Sequence, residues 1–404
     1  MALSVGGKLI SDNDVIVSSA FDGGNIIVES IDNSDSDYVQ ILPRGDSKIS
    51  EDWVAIHLSI RKDNASDFFQ WFYYRVSGAR GRDLFMIIEN AEKAAFASGW
   101  TDYQACASYD RETWFRVETA YEHGRLIIQH TPEHDSVYYA YFAPYSMERH
   151  ADLIAGCLQE PGVSHRVLGQ TIQGQDMDCI SVGEGKKIIW VIARQHPGET
   201  MAEWWMEGFV ARLLDADDPV ARVLRQKATF HIIPNMNPDG SKNGNLRTNE
   251  AGANLNREWG VSNIQSSPEV HHTIAAMDEH KPDLCLDVHG DEALPYNFIA
   301  GAEGIPNYTQ KQANNLTDFL KAYKIASPDF QTERGYPKTA AGKANLTYCT
   351  NYTAHAYDCL AMTLEMPFKD NANLPDSDYG WSPDRAAKLG AAALDPMLAV
   401  VDQL

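Results

Sequence analysis

The sequence predicts two domains of different fold class: an all-β antiparallel sandwich, followed by an α/β domain in which helices flank a mixed sheet. At 404 residues the chain is longer than one hydrophobic core normally organises. Before residue 150, short apolar runs are separated at regular intervals by Gly, Asn and Asp. After residue 160, strands alternate with amphipathic helices. We therefore expect one domain at 1–150 and a second at 151–404.

Seven apolar runs of the first domain have the length and composition of strands. The turn residues between them are typical of antiparallel sandwiches, in which short connections join successive strands. The predicted strands are 25–28, 53–58, 69–76, 84–88, 114–117, 126–128 and 138–142.

The second domain begins with an apolar strand at 188–193, which an amphipathic helix follows. Nearly continuous apolar strands indicate a sheet that is largely buried. The apolar residues that recur at helical spacing are Ala202, Trp205, Met206, Phe209, Val210 and Leu213. Further strands are predicted at 230–233, 284–288 and 360–364, and helices at 268–281, 307–324 and 383–402.

Composition excludes several classes of partner. A formal net charge of −22 disfavours nucleic acid, because a polyanion would be repelled. The N-terminus has no basic leader followed by an apolar core, and no window approaches the roughly 18 consecutive apolar residues of a membrane span. Six cysteines without a C-x-x-C pair indicate isolated thiols in a reducing compartment. We expect a cytoplasmic protein that binds neither nucleic acid nor membrane.

Four polar side chains lie at the ends of predicted buried strands. They are His196 and Glu199, which follow the strand at 188–193, His289 after 284–288, and Glu365 after 360–364. Two imidazoles and one carboxylate suit a three-ligand zinc site with an open position. A carboxylate at the end of an apolar strand, such as Glu365, costs several kcal/mol unless it has a partner or a task. Glu365 can then act on water at the metal, which is the chemistry of a metallohydrolase.

A long segment at 237–259 is predicted to be a loop without regular structure. Loops of this length inside a domain are usually functional or disordered. The planar guanidinium of Arg257 beside the amide of Asn256 suits capture of a carboxylate, and Arg247 suits stabilisation of an oxyanion.

These residues carry a family resemblance. The second domain resembles the zinc carboxypeptidases of the M14 type, and the whole chain resembles their cytosolic carboxypeptidase subfamily, in which a β-sandwich precedes the catalytic domain. The resemblance spans nearly the entire chain. The similar stretches are 21–25, 70–76 and 139–145 in the first domain, and 196–199, 237–240, 244–247, 255–257, 287–290 and 363–365 in the second.

The resemblance implies a zinc-carboxypeptidase-like catalytic domain that removes C-terminal residues from peptides or proteins. It implies one zinc ion held by His196, Glu199 and His289, with Glu365 as the general base. It implies further that Arg247 holds the developing oxyanion, that Asn256 and Arg257 bind the terminal carboxylate, and that Tyr348 or Tyr352 covers the substrate.

Two residues outside the proposed ligand set depart from the family pattern. Asn254 stands where the family usually has Asp, so it can orient a ligand histidine without adding charge to raise the basicity of that histidine. Asp291 stands where many relatives have a second histidine.

Specificity and reaction leave alternatives open. The subfamily commonly removes acidic residues, and the cations that can bind such a side chain are Lys343, Arg334 and Lys338. An N-acyl amino acid deacylase of the same zinc architecture would use the same residues. A non-catalytic protein that binds C-termini is the third possibility, although pure binding requires neither Glu365 nor Arg247.

Overall fold

A computed structural model of the chain describes residues 14–32 and 53–404. The described residues before position 145 form ten strands, which build two five-stranded sheets. The strands are β1 (Ile16–Ser18), β2 (Ile27–Asp32), β3 (Trp53–Ser59), β4 (Tyr73–Ser77), β5 (Asp83–Ile88), β6 (Cys106–Ser108), β7 (Phe115–Arg116), β8 (Thr119–Glu122), β9 (Arg125–His130) and β10 (Ser136–Ala140).

The two sheets have the strand orders β1-β4-β10-β6-β7 and β2-β3-β5-β9-β8. Every pairing except the parallel one between β3 and β5 is antiparallel. The sandwich expected from the spacing of the apolar runs is therefore confirmed. Strands β1, β6 and β8 were not predicted, because each is only three or four residues long.

The remainder of the chain is an α/β domain built on a seven-stranded mixed sheet. Its strands are β11 (Ser164–Gln170), β12 (Asp176–Val182), β13 (Lys187–Ala193), β14 (Ala228–Ile233), β15 (Leu284–Asp291), β16 (Phe298–Gly301) and β17 (Leu360–Pro367). Its helices are α1 (Met147–Cys157), α2 (Met201–Leu214), α3 (Pro219–Lys227), α4 (Pro238–Asn243), α5 (Pro268–Glu279), α6 (Gln310–Ala326), α7 (Cys349–Tyr357), α8 (Pro383–Ala392) and α9 (Leu394–Val400).

The strand order of this sheet is β11-β12-β14-β13-β15-β17-β16. The four central strands β14, β13, β15 and β17 are mutually parallel, and the strands at both edges are antiparallel to their neighbours. The predicted α/β domain with a mixed sheet is confirmed. None of the helices that the structure describes is both long and apolar enough to cross a lipid bilayer.

The hydrophobic core is continuous between the sandwich and one face of the seven-stranded sheet. Tyr141, which follows β10, stacks on Phe368, which follows β17, with ring centroids 4.4 Å apart. The other face of the sheet has a separate core that includes Trp190, Trp259 and Met277. Buried aromatic packing therefore joins the α/β domain to the sandwich.

One predicted helix needs correction. The helix predicted at 383–402 is divided at Ala393 into α8 and α9, since Pro396 has no N–H to donate to the carbonyl four residues earlier. Helix α1 spans the position near residue 150 at which the sequence predicts the domain boundary.

Helices α2 and α8 approach each other at two glycines. A Cβ on Gly208 would lie 1.9 Å from the carbonyl oxygen of Ala387, and a Cβ on Gly390 would lie 1.9 Å from that of Trp205. The backbones of the two helices are therefore in direct contact, and any side chain at these positions would separate them.

We expect Gly208→Ala to lower the free energy of unfolding by about 1–3 kcal/mol, because the added methyl forces a packed helix pair apart. The control is Gly156→Ala in α1, where an added Cβ meets nothing within 4 Å. That control should raise stability by up to about 1 kcal/mol through helix propensity alone. Urea unfolding checks both, and a Gly208→Ala midpoint at or above the control would contradict the close packing.

Candidate active site

Three neighbouring parallel strands place the polar side chains predicted from the sequence at one edge of the sheet. Strand β13 pairs with β15, and β15 pairs with β17 in a register that puts His289 directly opposite Glu365. His196 follows the end of β13 by three residues. Because parallel strands end at the same edge, these side chains meet where ligands bind in open α/β sheets.

His196, Glu199 and His289 come together as one buried group. Their ligand atoms all lie within 4.8 Å of one another. The Nδ1 atom of His196 is 2.6 Å from Oε1 of Glu199, and the Nδ1 atom of His289 is 2.8 Å from Oε2. The two Nδ1 atoms are themselves only 3.2 Å apart.

The outer nitrogens of both rings are matched with acceptors. Nε2 of His289 lies 2.9 Å from Oδ2 of Asp287, and Nε2 of His196 lies 3.0 Å from Oδ1 of Asn254. Since acceptors at Nε2 favour a proton on that nitrogen, the lone pair of each ring lies on Nδ1 and faces the other lone pair and the Glu199 carboxylate. Three electron-pair donors at such distances repel one another unless a proton or a metal ion lies among them, and the two imidazoles and the carboxylate are a donor set that fits a divalent metal.

The pKa values of the three groups follow from burial and mutual charge. Burial lowers the pKa of His196 to about 4, and the nearby Arg247 guanidinium acts in the same direction. Burial opposes ionisation of Glu199, but the two imidazoles hold its pKa well below the usual value. Burial also opposes protonation of His289, yet the Asp287 and Glu199 carboxylates raise its pKa well above the usual value.

Glu365 is a buried carboxylate with spare hydrogen-bonding capacity. Its Oε1 accepts a hydrogen bond of 3.2 Å from the Tyr336 hydroxyl, while its Oε2 has no partner among the described residues. The same hydroxyl proton is shared with Oδ2 of Asp291, which is the closer acceptor at 2.5 Å. Burial raises the pKa of Glu365 well above the usual value, and the Glu199 carboxylate adds to this while His289 opposes it. The free oxygen is available to accept a proton.

The segment 237–259 is not wholly irregular, so the prediction of a structureless loop was wrong for its first part. Helix α4 forms there because Pro238 occupies its first turn and the Asn237 side chain accepts from the backbone N–H of Gly240. Gly244 ends the helix with φ of 70°. A Cβ at that position would also lie 2.7 Å from the carbonyl oxygen of Gly24, so only glycine fits.

One cavity of about 470 Å³ is lined by most of the predicted site residues. Its lining includes His196, Glu199, Glu365, Arg247, Asn256, Arg257 and Tyr348. The guanidinium of Arg257 lies 3.7 Å from the centre of the Tyr348 ring. Oδ1 of Asn256 accepts from the backbone N–H of Cys349 at 2.8 Å, so its amide nitrogen is left to donate to a ligand.

The alternative tyrosine and the three predicted cations lie in different places. Tyr352 packs against Trp259 with ring centroids 6.0 Å apart and is absent from the described lining of the cavity. Lys338 lines the cavity and forms an ion pair of 3.1 Å with Glu303. Arg334 lines a neighbouring cavity of about 340 Å³, and Lys343 lies in an exposed turn outside both linings.

Sequence reasoning missed two aromatic residues of the cavity wall. Tyr336 belongs to the exposed segment before α7, and Phe96 comes from the sandwich. Neither residue is part of a periodic pattern, and Phe96 lies 100 positions before His196 in the chain. The Arg-Gly-Tyr-Pro turn at 334–337 was the available signal for Tyr336, since such turns often carry functional side chains.

Comparison with protein families gives matches over both domains. Residues 17–142 match the cytosolic carboxypeptidase N-terminal domain, and residues 157–385 match the zinc carboxypeptidase family. The chain belongs to the zinc carboxypeptidase family. It is accordingly a metallocarboxypeptidase of the M14 type, a peptide hydrolase that uses zinc, as the sequence predicted.

Solved structures and curated relatives agree with this assignment. A metallo-carboxypeptidase from Burkholderia cenocepacia is 49% identical, with a TM-score of 0.89 over 97% of this chain and 100% of that one. One from Pseudomonas aeruginosa, in complex with (2-guanidinoethylmercapto)succinic acid, is 41% identical, with a TM-score of 0.88 over 96% of this chain and 99% of that one. Cytosolic carboxypeptidase 1 of Xenopus laevis is 26% identical over 81% of this zinc carboxypeptidase, which spans only 30% of that larger relative.

The outer partner of His196 allows a test of the metal site. We expect Asn254→Asp to tighten zinc binding about tenfold, because a carboxylate at Nε2 makes the imidazole a stronger ligand. Competition with a chelator measures the affinity. Asn263→Asp adds the same charge at an exposed position and is the control. Equal zinc affinities for the two variants would argue against His196 as a ligand.

Proposed function

We propose that this zinc carboxypeptidase cleaves the C-terminal peptide bond of peptides or proteins, with His196, Glu199 and His289 as the zinc ligands. The observation that carries the proposal is a single cavity lined by groups of three kinds. Two of the three proposed metal ligands (His196 and Glu199), the Glu365 carboxylate and a cluster of donors for anions all line the same space, and His289 lies directly behind them. Hydrolysis at a free C-terminus requires each of these.

Zinc held by these residues would polarise the scissile carbonyl and lower the pKa of water toward about 7. Glu365 takes the proton from the attacking water and passes it to the leaving amine, so no covalent bond forms between protein and substrate. The unpartnered Oε2 atom supports this role, because it is free to accept that proton. The Tyr336 hydroxyl, whose single proton is shared between Asp291 and Oε1 of Glu365, lies against the carboxylate.

Arg247 and the pair of Asn256 and Arg257 bind the two negative charges of the reaction. Arg247 stabilises the oxyanion that develops on the scissile carbonyl. The amide nitrogen of Asn256 and the guanidinium of Arg257 hold the terminal carboxylate, for which a planar fork of donors is well suited. Tyr348 lies under the Arg257 guanidinium at 3.7 Å and keeps it in the cavity.

A preference for acidic C-terminal residues is the finer part of the proposal. Among the described lining residues, Lys338 is the cation that remains when Arg247 and Arg257 have their own tasks. Its ion pair of 3.1 Å with Glu303 supports this role, because it shows that the ammonium group can reach a carboxylate at the cavity. Hydroxyls of Thr350 and Thr363, 2.6 Å apart, add polar groups to the same wall.

The same proposal divides the chain into a sandwich at 1–150 and a catalytic domain at 151–404, and it places the protein in the cytoplasm. The six cysteines are all buried and unpaired, which suits a reducing compartment. Proteins and peptides with free C-termini are the proposed partners, with neither nucleic acid nor membrane among them.

Replacing the proposed base tests the mechanism. We expect Glu365→Gln to lower kcat by about a hundredfold or more while zinc content is unchanged, because only the proton acceptor is lost. Glu333→Gln, at an exposed position, is the matched control. Full peptidase activity in Glu365→Gln would remove Glu365 from this role. Faster hydrolysis of acyl-amino acids than of peptides by the wild type would favour a deacylase.

A panel of peptides that differ in their last residue tests the preference. Glutamate should be released faster than leucine, phenylalanine or lysine, and Lys338→Ala should reduce kcat/KM for glutamate by about tenfold through loss of a charge-assisted contact. Lys343→Ala removes an equal charge outside the cavity and should change nothing. Faster release of leucine or phenylalanine than of glutamate would reject the acidic preference.

A further inference from the structure

A carboxylate of the sandwich holds the backbone around Arg247. Asp63, in the turn after β3, is 4% exposed. Its Oδ1 accepts from the backbone N–H of Leu246 at 2.6 Å, and its Oδ2 accepts from those of Arg247 and Thr248 at 2.7 and 2.9 Å. The Thr248 hydroxyl donates a fourth hydrogen bond of 3.2 Å to the same oxygen.

Three successive N–H groups that point at one site form a concavity for an anion, and here the side chain of Asp63 occupies it. The chain between Gly244 and Asn254 contains neither helix nor strand. No regular hydrogen-bond ladder therefore sets the position of Arg247. The Leu246 carbonyl accepts from the Gly198 N–H at 2.8 Å, and the N–H groups of residues 246–248 are all bound by Asp63.

The side chain of Arg247 is held by the sandwich as well. Its guanidinium carbon lies 5.0 Å from the centre of the Phe96 ring and 5.7 Å from that of Phe68. Phe96 also lines the cavity that contains His196 and Glu365. Both ends of Arg247 are thus fastened to residues that precede position 100, although its guanidinium faces a site built by the other domain.

We infer that Asp63 is a positioning residue for catalysis: it acts through Arg247, and the sandwich completes the active site of the zinc carboxypeptidase. The inference rests on the proposed role of Arg247. Other side chains of the sandwich join the two domains nearby, whereas Asp63 binds the backbone N–H groups of residues 246–248 themselves. The side chains of Asn25, Arg61 and Asn64 bind the Gly244 carbonyl, the Asn243 carbonyl and the Glu250 carboxylate at 2.9, 2.5 and 2.6 Å.

The first experiment compares Asp63→Asn with Asp67→Asn in the full-length, zinc-loaded enzyme. Asp67 lies in the same turn, pairs with Lys62 at the surface and has a side chain that is 95% exposed. Asp63→Asn should lower kcat roughly tenfold or more and leave KM within about twofold, because a displaced oxyanion donor affects the transition state. Unchanged kcat, or equal losses in both variants, would overturn the inference.

A double-mutant cycle separates positioning from general damage. If Asp63 acts through Arg247, then Asp63→Asn added to Arg247→Ala should cause no further loss of kcat. The same loss in both backgrounds would overturn the inference. Wild-type kcat in Arg247→Ala would instead refute the proposed role of Arg247, so the two failures are distinguishable.

Hydrogen exchange provides a readout that does not depend on activity. The amides of Leu246, Arg247 and Thr248 should exchange faster in Asp63→Asn than in Asp67→Asn, with zinc content equal in both. Unchanged exchange would count against Asp63 as their anchor. If Asp63→Asn does not fold, Thr248→Val is the second variant, since it removes one donor to Asp63 and keeps the carboxylate. We then expect kcat to fall several-fold in Thr248→Val, and we expect no further fall when Thr248→Val is added to Arg247→Ala. An unchanged kcat in Thr248→Val would overturn the inference.

Discussion

Repulsion among three electron-pair donors is the constraint on which the rest of this structure depends. The Nδ1 atoms of His196 and His289 lie 3.2 Å apart and both face the Glu199 carboxylate in a buried space. Asp287 and Asn254 occupy the opposite sides of the rings, so neither ring can turn its lone pair away without losing a partner. A cation resolves the conflict, and zinc is the metal of the family.

The same electrostatic balance extends through the cavity. Besides Glu199 and Glu365, the lining contains Asp291 and Glu292, and burial raises the pKa of Glu292 to about 8. So many carboxylates in one buried space oppose one another's ionisation. The metal and the arginines supply the compensating positive charge, and Arg247 itself works against the raised pKa of Glu292. The ionised carboxylates of the cavity therefore depend on the positive charges beside them.

The sandwich is part of this organisation. Its core is continuous with that of the catalytic domain, and Phe96 reaches the cavity wall. With Asp63 at the backbone of residues 246–248, the sandwich contacts the site at a segment that lacks secondary structure of its own. An irregular segment of this kind has a defined position only when its neighbours bind it, and the sandwich is one of those neighbours beside the turn at Gly198.

The sequence by itself determined the two fold classes and the four polar residues at the strand ends. Apolar periodicity is a local property, and a charged residue at the end of an apolar strand, such as Glu365, is visible without coordinates. Tertiary structure decided which tyrosine reaches Glu365, which lysine lines the cavity, and that Asp63 binds a backbone some 180 positions away. These three contacts depend on where irregular segments of the chain meet in space. No local sequence pattern encodes such contacts, because the interacting groups belong to parts of the chain that only folding brings together.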